Sequence, residues 1–255
     1  DTGPDFRQQI LRENIDQLDA ILYTHEHKDH TAGLDDVRAF NFKYKMDIPV
    51  YARDSVLNQL KTEFSYIFAE HKYPGTPSVI VNFIDNRPFN FYGEKITPIE
   101  VLHYKLPVFG FRIKDFTYIT DAKTISEEEI NKVKGTKTLI INALHRNSHV
   151  SHFNLEEALR VIEEINPKKA YLTHISHLFG KQEDIQKDFK KEMDELDDLK
   201  KENELLDQPF NIEETNVKEN SINLEMEEGK DQLDKNKSKE SGNKQKSASN
   251  KMKEM

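Results

Sequence analysis

Three histidines and an aspartate lie within six positions of the segment YTHEHKDHTAG, after the apolar run LDAILYT, which predicts a buried strand. They are His25, His27, Asp29 and His30. Because alternate residues of an extended chain face the same side, His25 and His27 can point to one place, and the next turn brings Asp29 and His30 to a second place nearby. Imidazole and carboxylate groups bind zinc, manganese or iron(II). The spacing therefore predicts two metal ions side by side. The alternative is a polar loop with incidental histidines.

The elements that must position this cluster are predicted from apolar periodicity and capping residues. Up to residue 84 the sequence predicts helices over 6–17, 31–40 and RDSVLNQLKTEFSYIFAE, with strands at IPVYA and PSVIVNFI. Short aromatic and β-branched runs between residues 88 and 120 predict an antiparallel meander. Strands KTLIINAL and KAYLTHIS then alternate with helices capped by Ser126 and Asn154. This pattern predicts an α/β (α+β) fold in which two sheets lie between outer helices, an αββα sandwich.

Composition divides the chain into a globular part and a tail. All ten histidines lie before residue 178, and from Gln182 onward the sequence is dominated by Lys, Glu, Asp, Asn, Gln and Ser. Such a segment buries too little apolar surface to offset its ordering entropy. The predicted organisation is a globular domain over 1–180, a charged amphipathic helix over 181–206 and a disordered charged tail over 207–255. The opening DTGPDFRQQ reads as a turn after a missing strand, so we expect a domain truncated at its N-terminus and lacking its first strands.

Charge and cysteine content restrict the partners. The net charge is −9, so no global basic field attracts nucleic acid, although a local basic patch stays open. The sequence has no cysteine, which rules out disulfides and thiolate ligands and fits a reducing, cytoplasmic location. It contains no apolar run near the roughly 18 residues that a membrane helix needs, so no membrane partner is expected.

The motif THEHKDHTAG resembles the signature of the metallo-β-lactamase-fold hydrolases, and the similarity of pattern extends over residues 1–178. The resemblance implies further ligands at strand ends, which the sequence supplies as His103, Asp121 and His174. It implies two Zn²⁺ or Mn²⁺ ions, one held by His25, His27, His103 and Asp121 and the other by Asp29, His30, Asp121 and His174. Such ions can hold a bridging hydroxide as nucleophile. Taken singly, the three later ligands have ordinary alternatives: a strand histidine, a turn cap and a core histidine.

Ligand type separates branches of this family. Lactam hydrolases of the main zinc group use a cysteine ligand, and this sequence has none. Flavodiiron oxidoreductases carry a glutamate where His27 stands, so a di-iron redox site is not expected. The segments DTGPDFRQQ, GLDDVRAF, SHFNLEEA and LTHISH instead resemble the 5-phosphoribosyl 1,2-cyclic phosphate phosphodiesterases. That group implies that His152 meets the phosphate and protonates the leaving oxygen, a role that suits an imidazole. The alternative for His152 is a neighbour of the helix cap at Asn154.

Other residues receive weaker assignments. Asp29 is, with His152, a predicted catalytic residue. Arg38 is predicted to bind a phosphate bidentately, or else to pair with Asp35. Asp1 either supports a metal-bound histidine or is an ordinary turn residue. His145, His149 and His177 are expected to lie behind the ligands or at the surface.

The predicted function is therefore that of a dinuclear metal-dependent phosphodiesterase acting on a small, linear or cyclic phosphodiester. A homodimer is compatible with this prediction. One alternative is an RNA endonuclease resembling tRNase Z, against which the acidic balance and the lack of a Gly- and Lys-rich arm argue. The other alternative is an inactive fragment or binding scaffold whose charged tail is the working part.

Overall fold

The computed structural model describes residues 1–181 and the isolated positions 184, 187 and 201. The chain divides into two units, Asp1–Phe179 and Gly180–Met255. The first unit carries all of the predicted metal ligands. The predicted charged helix and disordered tail lie outside the described residues, apart from positions 181, 184, 187 and 201, and stay predictions.

Within residues 1–181 the strands form two sheets, one of three strands and one of seven. The strands are β1 (Ile21–Leu22), β2 (Ile48–Ala52), β3 (Val79–Phe83), β4 (Phe89–Phe91), β5 (Glu94–His103), β6 (Leu106–Ile113), β7 (Phe116–Ile119), β8 (Thr124–Ile125), β9 (Thr138–Asn142) and β10 (Lys169–Thr173). β1, β2 and β3 pair in parallel. The larger sheet has the order β10-β9-β7-β6-β5-β4, with β8 beside β5. The predicted meander is confirmed, because β4 to β7 pair antiparallel.

The helices are α1 (Phe6–Arg12), α2 (Lys28–Thr31), α3 (Arg38–Tyr44), α4 (Asp54–Glu63), α5 (Ser65–Phe68), α6 (Glu127–Val133) and α7 (Leu155–Ile165). The predicted helix over 31–40 is wrong: the chain forms α2, a 3-10 turn at Leu34–Val37 and then α3. The break follows from Gly33, whose N–H donates to the carbonyl of Thr2 instead of continuing a helix. In the described part of the chain, no helix combines the length and apolarity needed to cross a bilayer.

Two apolar clusters hold the layers together. The helices α1, α3, α4 and α5 share a buried core with the small sheet. A second cluster lies between the sheets, where Phe109 and Phe111 of β6 are packed with Leu22 and Tyr51 of the small sheet. On the other side α6 contacts β5 and α7 contacts β9. Each fully buried side chain of this kind contributes about 1.5–3 kcal/mol. The observed layers are helix, sheet, sheet and helix, so the predicted αββα fold is confirmed.

The predicted cap of α7 is confirmed. The Asn154 side chain accepts from the Glu157 N–H at 2.8 Å, and the Glu157 carboxylate accepts from the Asn154 N–H at 3.0 Å. This reciprocal pair satisfies two N–H groups that a helix start otherwise leaves unpaired. It also fixes the direction in which the chain enters α7, two residues after His152.

Replacing Asn154 with alanine is expected to lower the free energy of unfolding by about 1 kcal/mol, because the side-chain oxygen that accepts from the Glu157 N–H is lost. Ser126→Ala is the matched control. Its hydroxyl accepts from Glu129 at a longer 3.3 Å, so a smaller loss is expected. Urea unfolding followed by circular dichroism measures both. Equal losses in the two variants would contradict a special contribution of the reciprocal cap.

Candidate metal centre

The predicted ligands meet at one edge of the two sheets. His25 and His27 follow β1, His103 is the last residue of β5, Asp121 follows β7, and His174 follows β10 directly. β1 runs parallel to its neighbour β2, and β7 and β10 both run parallel to β9, so their carboxyl ends carry the loops that converge here. This arrangement brings together residues that lie up to about 150 positions apart in sequence.

Asp121 lies at the centre of this cluster, with a side chain that is 2% exposed. Its Oδ1 is 3.3 Å from Nε2 of His30 and 3.3 Å from Nε2 of His174. Its Oδ2 is 3.5 Å from Nε2 of His25 and 3.3 Å from Nε2 of His152. The two oxygens of one carboxylate therefore face two different sets of imidazole nitrogens, as expected of a bridging ligand.

Among the described residues, the side chains fall into three groups whose ligand atoms lie within 4.8 Å of one another: Asp29, His30, Asp121 and His174; His25, His27 and Asp121; and His103, Asp121 and His152. The first group is the complete set predicted for one ion. The second contains part of the set predicted for the other ion. Its predicted fourth member, His103, groups instead with His152, although its ring centroid is 5.2 Å from that of His27.

His30 shows that the cluster fits a cation. Nδ1 of His30 lies 2.8 Å from Oδ2 of Asp1, so this nitrogen carries the proton and donates it to the carboxylate. Nε2 then has a lone pair. It is buried without a hydrogen-bond partner and faces oxygens of Asp29 at 3.4 Å and Asp121 at 3.3 Å. A lone pair directed at two carboxylates is unfavourable unless a positive charge lies between them.

The same aspartate acts on His25 through a second residue. Asp1 accepts from the N–H and from the hydroxyl of Thr24, each at 2.9 Å. Since that hydroxyl donates to Asp1, it accepts from Nδ1 of His25, 3.0 Å away. Nε2 of His25 is thereby left as the ligand atom. The contact with His30 favours the supporting role of Asp1 over that of an ordinary turn residue, and its effect on a bound metal stays a prediction.

His103 is oriented by the main chain. Its Nδ1 lies 2.9 Å from the carbonyl oxygen of Ser151 and donates to it, which leaves Nε2 for the cluster. Ser151 was not predicted from the sequence. Its contribution comes from a backbone carbonyl, which every residue type possesses, so no sequence signal could have identified it.

The protonation states also suit metal binding. Burial lowers the pKa of His25 to about 3, against the attraction of Asp121 and with the help of the neighbouring histidines. Burial alone would raise the pKa of Asp121, but the hydrogen bond with His152 and the nearby imidazoles of His30 and His174 hold this pKa below its usual value. His25 is therefore neutral and Asp121 ionised near neutral pH, which are the forms that bind divalent ions.

Two of the predicted ligands adopt backbone angles that are unusual for side-chain-bearing residues. Asp121 has φ 55° and His174 has φ 54°, both in the left-handed region. Such a conformation costs about 1–3 kcal/mol at a non-glycine residue and persists where the surrounding structure requires it. Both residues turn their side chains into the cluster just past a strand, His174 directly after β10 and Asp121 two residues after the end of β7. Neither angle could have been predicted from residue type.

Glycines allow the N-terminal segment to lie against the ligand loop. A Cβ at Gly33 would come 2.4 Å from the carbonyl oxygen of Gly3, and one at Gly3 would come 2.7 Å from that of Asp29. The Thr2 N–H donates to the carbonyl of His30 at 2.7 Å. These close approaches explain how Asp1 reaches both His30 and Thr24.

Asp1→Asn is expected to weaken metal binding by about 10- to 100-fold, because an amide no longer fixes the proton on Nδ1 of His30 with a carboxylate. Competition with a chromophoric chelator measures the affinity. Asp5→Asn, an exposed aspartate four positions away, is the control and should bind metal normally. If the two variants bind metal equally well, Asp1 does not tune the ligands.

The remaining predicted residues divide into two sets. His152 belongs to the cluster, and its Nδ1 contacts the Ser151 hydroxyl at 3.0 Å and Nδ1 of His149 at 3.2 Å. Arg38 lies elsewhere, 4.0 Å from Asp35, which is the alternative considered for it. No hydrogen bond or ion pair between described residues joins Arg38 to the cluster, and its phosphate-binding role stays a prediction.

Comparison with known proteins agrees with this geometry. The family described as a beta-lactamase superfamily domain matches residues 1–175. A solved structure described as a new diphosphatase from the PhnP family is 34% identical, with a TM-score of 0.66, over 72% of this chain and 70% of that one.

Two curated relatives carry different names. An octanoyltransferase of Porphyromonas gingivalis is 38% identical over 69% of this chain and 36% of its own length. The exodeoxyribonuclease YycJ of Bacillus anthracis is 27% identical over 55% of this chain and 49% of its own length. The chain thus spans about a third and about half of these two relatives. The family match and the PhnP-family structure each cover more than two thirds of this chain. The chain therefore belongs to the beta-lactamase superfamily, in its metallo-β-lactamase-fold, PhnP-like group.

Proposed function

We propose that this chain is a dinuclear metal-dependent phosphodiesterase that hydrolyses a small phosphodiester, linear or cyclic. The observation that carries the proposal is the position of Asp121, whose two carboxylate oxygens face separate sets of histidines at 3.3–3.5 Å. The similarity to a diphosphatase of the PhnP family supports chemistry at phosphorus and adds diphosphates to the substrates worth testing. The lack of cysteine is compatible with the cytoplasm, where we assume the protein acts.

The residues that would hold two ions are His25, His27, His103 and Asp121 on one side, and Asp29, His30, Asp121 and His174 on the other. Two divalent ions, Zn²⁺ or Mn²⁺, would supply Lewis-acid polarisation of the phosphoryl oxygens and an activated water. Asp29, like His27, is an exposed member of the predicted ligand set, and 57% of its side chain is accessible. It therefore lies at the side from which a substrate arrives, which supports its predicted catalytic role.

Hydrolysis replaces the P–O bond to the leaving group with a P–O bond to the oxygen of water. The leaving oxygen then needs a proton. His152 is suited to donate it from Nε2, because this nitrogen faces the centre of the cluster while Nδ1 is held by Ser151 and His149. The contact of Nε2 with Asp121 keeps the ring turned toward the reacting atoms.

The test combines elemental analysis with a panel of substrates. The purified full chain should contain about two equivalents of divalent metal. It should also cleave bis(p-nitrophenyl) phosphate and at least one cyclic phosphodiester or diphosphate when Zn²⁺ or Mn²⁺ is supplied separately. A chain that retains two equivalents of metal yet cleaves none of these compounds would refute the phosphodiesterase proposal. A chain that holds little metal would favour the binding-scaffold alternative.

A nuclease is the second candidate, favoured by the similarity to an exodeoxyribonuclease. The net charge of −9 argues against it, because nucleic-acid affinity depends on contacts between cations and phosphates. A nuclease would bind DNA, or the precursor tRNA expected of a tRNase Z-like enzyme, with an affinity that falls steeply as salt rises. A small-phosphodiester enzyme would leave both polymers uncut.

A further inference from the structure

The described part of the chain contains a concave site outside the set of predicted metal ligands. It is a cleft of about 470 Å³ between α3, α5 and the turn at residues 73–77, and none of the predicted metal ligands lines it. Its volume falls within the range of small-molecule sites. We propose that this aromatic cleft, defined by Asp35, Arg38, Phe42, Tyr66 and Tyr73, binds a nucleotide, with the base on its aromatic rings and the phosphate at Arg38.

The walls of the aromatic cleft are rings from three separate segments. Phe42 on α3 is 65% exposed, Tyr66 on α5 is 45% exposed, and Tyr73 on the turn is 84% exposed. Large aromatic side chains usually bury most of their surface, so three exposed rings around one cavity indicate a surface that a flat ligand covers. A nucleobase is such a ligand, since every base offers a π face for stacking.

Arg38 supplies the charged end of the aromatic cleft. It lies four residues before Phe42 on the same helix, so the two side chains share one face. Its carboxylate neighbour Asp35 is 4.0 Å away, at the limit of an ion pair. The other oxygen of Asp35 accepts the hydroxyl of Tyr66 at 2.6 Å. The guanidinium therefore keeps donors for a phosphate, which it can bind with two parallel hydrogen bonds.

The aromatic cleft is formed before a ligand arrives. The hydrogen bond to Asp35 fixes the hydroxyl end of Tyr66. Across the cleft, the N–H and the hydroxyl of Thr76 both donate to the carbonyl of Tyr73, at 3.1 and 2.7 Å, and close the turn. Gly75 adopts φ +90° in this turn, and a Cβ there would lie 3.8 Å from Cζ of Phe42. A preformed site loses less conformational freedom on binding.

A nucleotide would contact both the aromatic rings and Arg38. The two other kinds of occupant considered would each contact only one of these groups. A proline-rich or aromatic peptide would use the rings and leave the guanidinium without an anion. A simple phosphate or sugar phosphate would use Arg38 and leave the rings exposed. The proposal does not depend on hydrolysis at the metal cluster, because no residue that lines the cleft is a predicted metal ligand.

Isothermal titration of AMP into the purified full chain tests the proposal, with adenosine, ribose 5-phosphate and inorganic phosphate titrated separately. AMP is expected to bind at least about tenfold more tightly than any of the other three compounds, because only AMP has both parts. Tyr73→Ala and Arg38→Gln are each expected to weaken AMP binding about tenfold. Lys43→Ala, an exposed residue on the same helix, is the control and should bind AMP normally.

The outcomes separate the occupants. If Arg38→Gln and Tyr73→Ala bind AMP as the unsubstituted chain does, any AMP affinity comes from another site and the proposal is wrong. Adenosine binding as tightly as AMP would make the cleft a site for neutral rings and would also overturn it. AMP binding that inorganic phosphate abolishes and both variants retain would indicate the metal cluster instead. The proposed phosphodiesterase could stand in each of these cases, because its own test uses metal content and turnover.

Discussion

Replacement of Asp121 with alanine is expected to abolish turnover and to lower the metal content of the purified chain. Each oxygen of this carboxylate faces a different set of histidines, so its loss removes a ligand from both sides of the cluster at once. Loss of an outer partner of a ligand typically costs 10- to 100-fold, and loss of a shared ligand should cost more than about 100-fold in rate. Elemental analysis and initial rates on bis(p-nitrophenyl) phosphate measure the two effects.

Two companion variants distinguish a loss of metal binding from a loss of folding. Asp121→Asn retains the shape of the side chain and removes its charge, and it should lose both metal and rate while keeping the circular dichroism spectrum. Asp115→Ala changes an exposed aspartate at the other end of β7, where its partner is Lys137, and should behave as the unsubstituted chain does. An Asp121→Asn protein that is folded, active and loaded with two equivalents of metal would contradict the bridging role.

Much of the fold could be predicted because its elements have strong local signals. Asn154 and Ser126 both cap helices as expected, since capping depends on the residue type at one position. The predicted meander is observed because β-branched and aromatic runs alternate with turn residues. The helix expected at residues 31–40 failed because Gly33 is used for a contact with Thr2, distant in sequence. No local pattern reports such a contact.

The candidate site also has one part that could be predicted from the sequence and one part that could not. His25, His27, Asp29 and His30 could be found because their types and spacing lie within one short segment. The grouping of His103 with His152 could not be predicted, since it depends on a carbonyl group that orients one ring. The left-handed backbone at two predicted ligands was also hidden, because it is a minority conformation even for aspartate and histidine. These features follow from the tertiary structure and oppose local preference, as is common at functional sites.

His152→Ala is expected to lower the rate by about 100-fold while metal content stays unchanged, because a proton donor contributes 10²- to 10⁴-fold. The loss should depend on the leaving group. A p-nitrophenolate leaves readily without a proton, whereas an alkoxide does not, so an alkyl ester should suffer more than bis(p-nitrophenyl) phosphate. Rates on matched aryl and alkyl phosphodiesters, together with elemental analysis, measure this difference.

The rate losses on the two esters, taken together with the metal content, distinguish three roles for His152. A larger loss on the alkyl ester with full metal content supports proton donation from Nε2. A loss of metal would instead make His152 a ligand, as its grouping with His103 and Asp121 permits. Equal rate losses on both esters with full metal content would leave His152 as a residue that only orients its neighbours.

Ser151→Ala is the matched variant: it removes the hydroxyl 3.0 Å from Nδ1 of His152 and keeps the carbonyl that holds His103. It should reproduce a weaker form of the leaving-group effect, because the ring of His152 then loses one of the three groups that orient it.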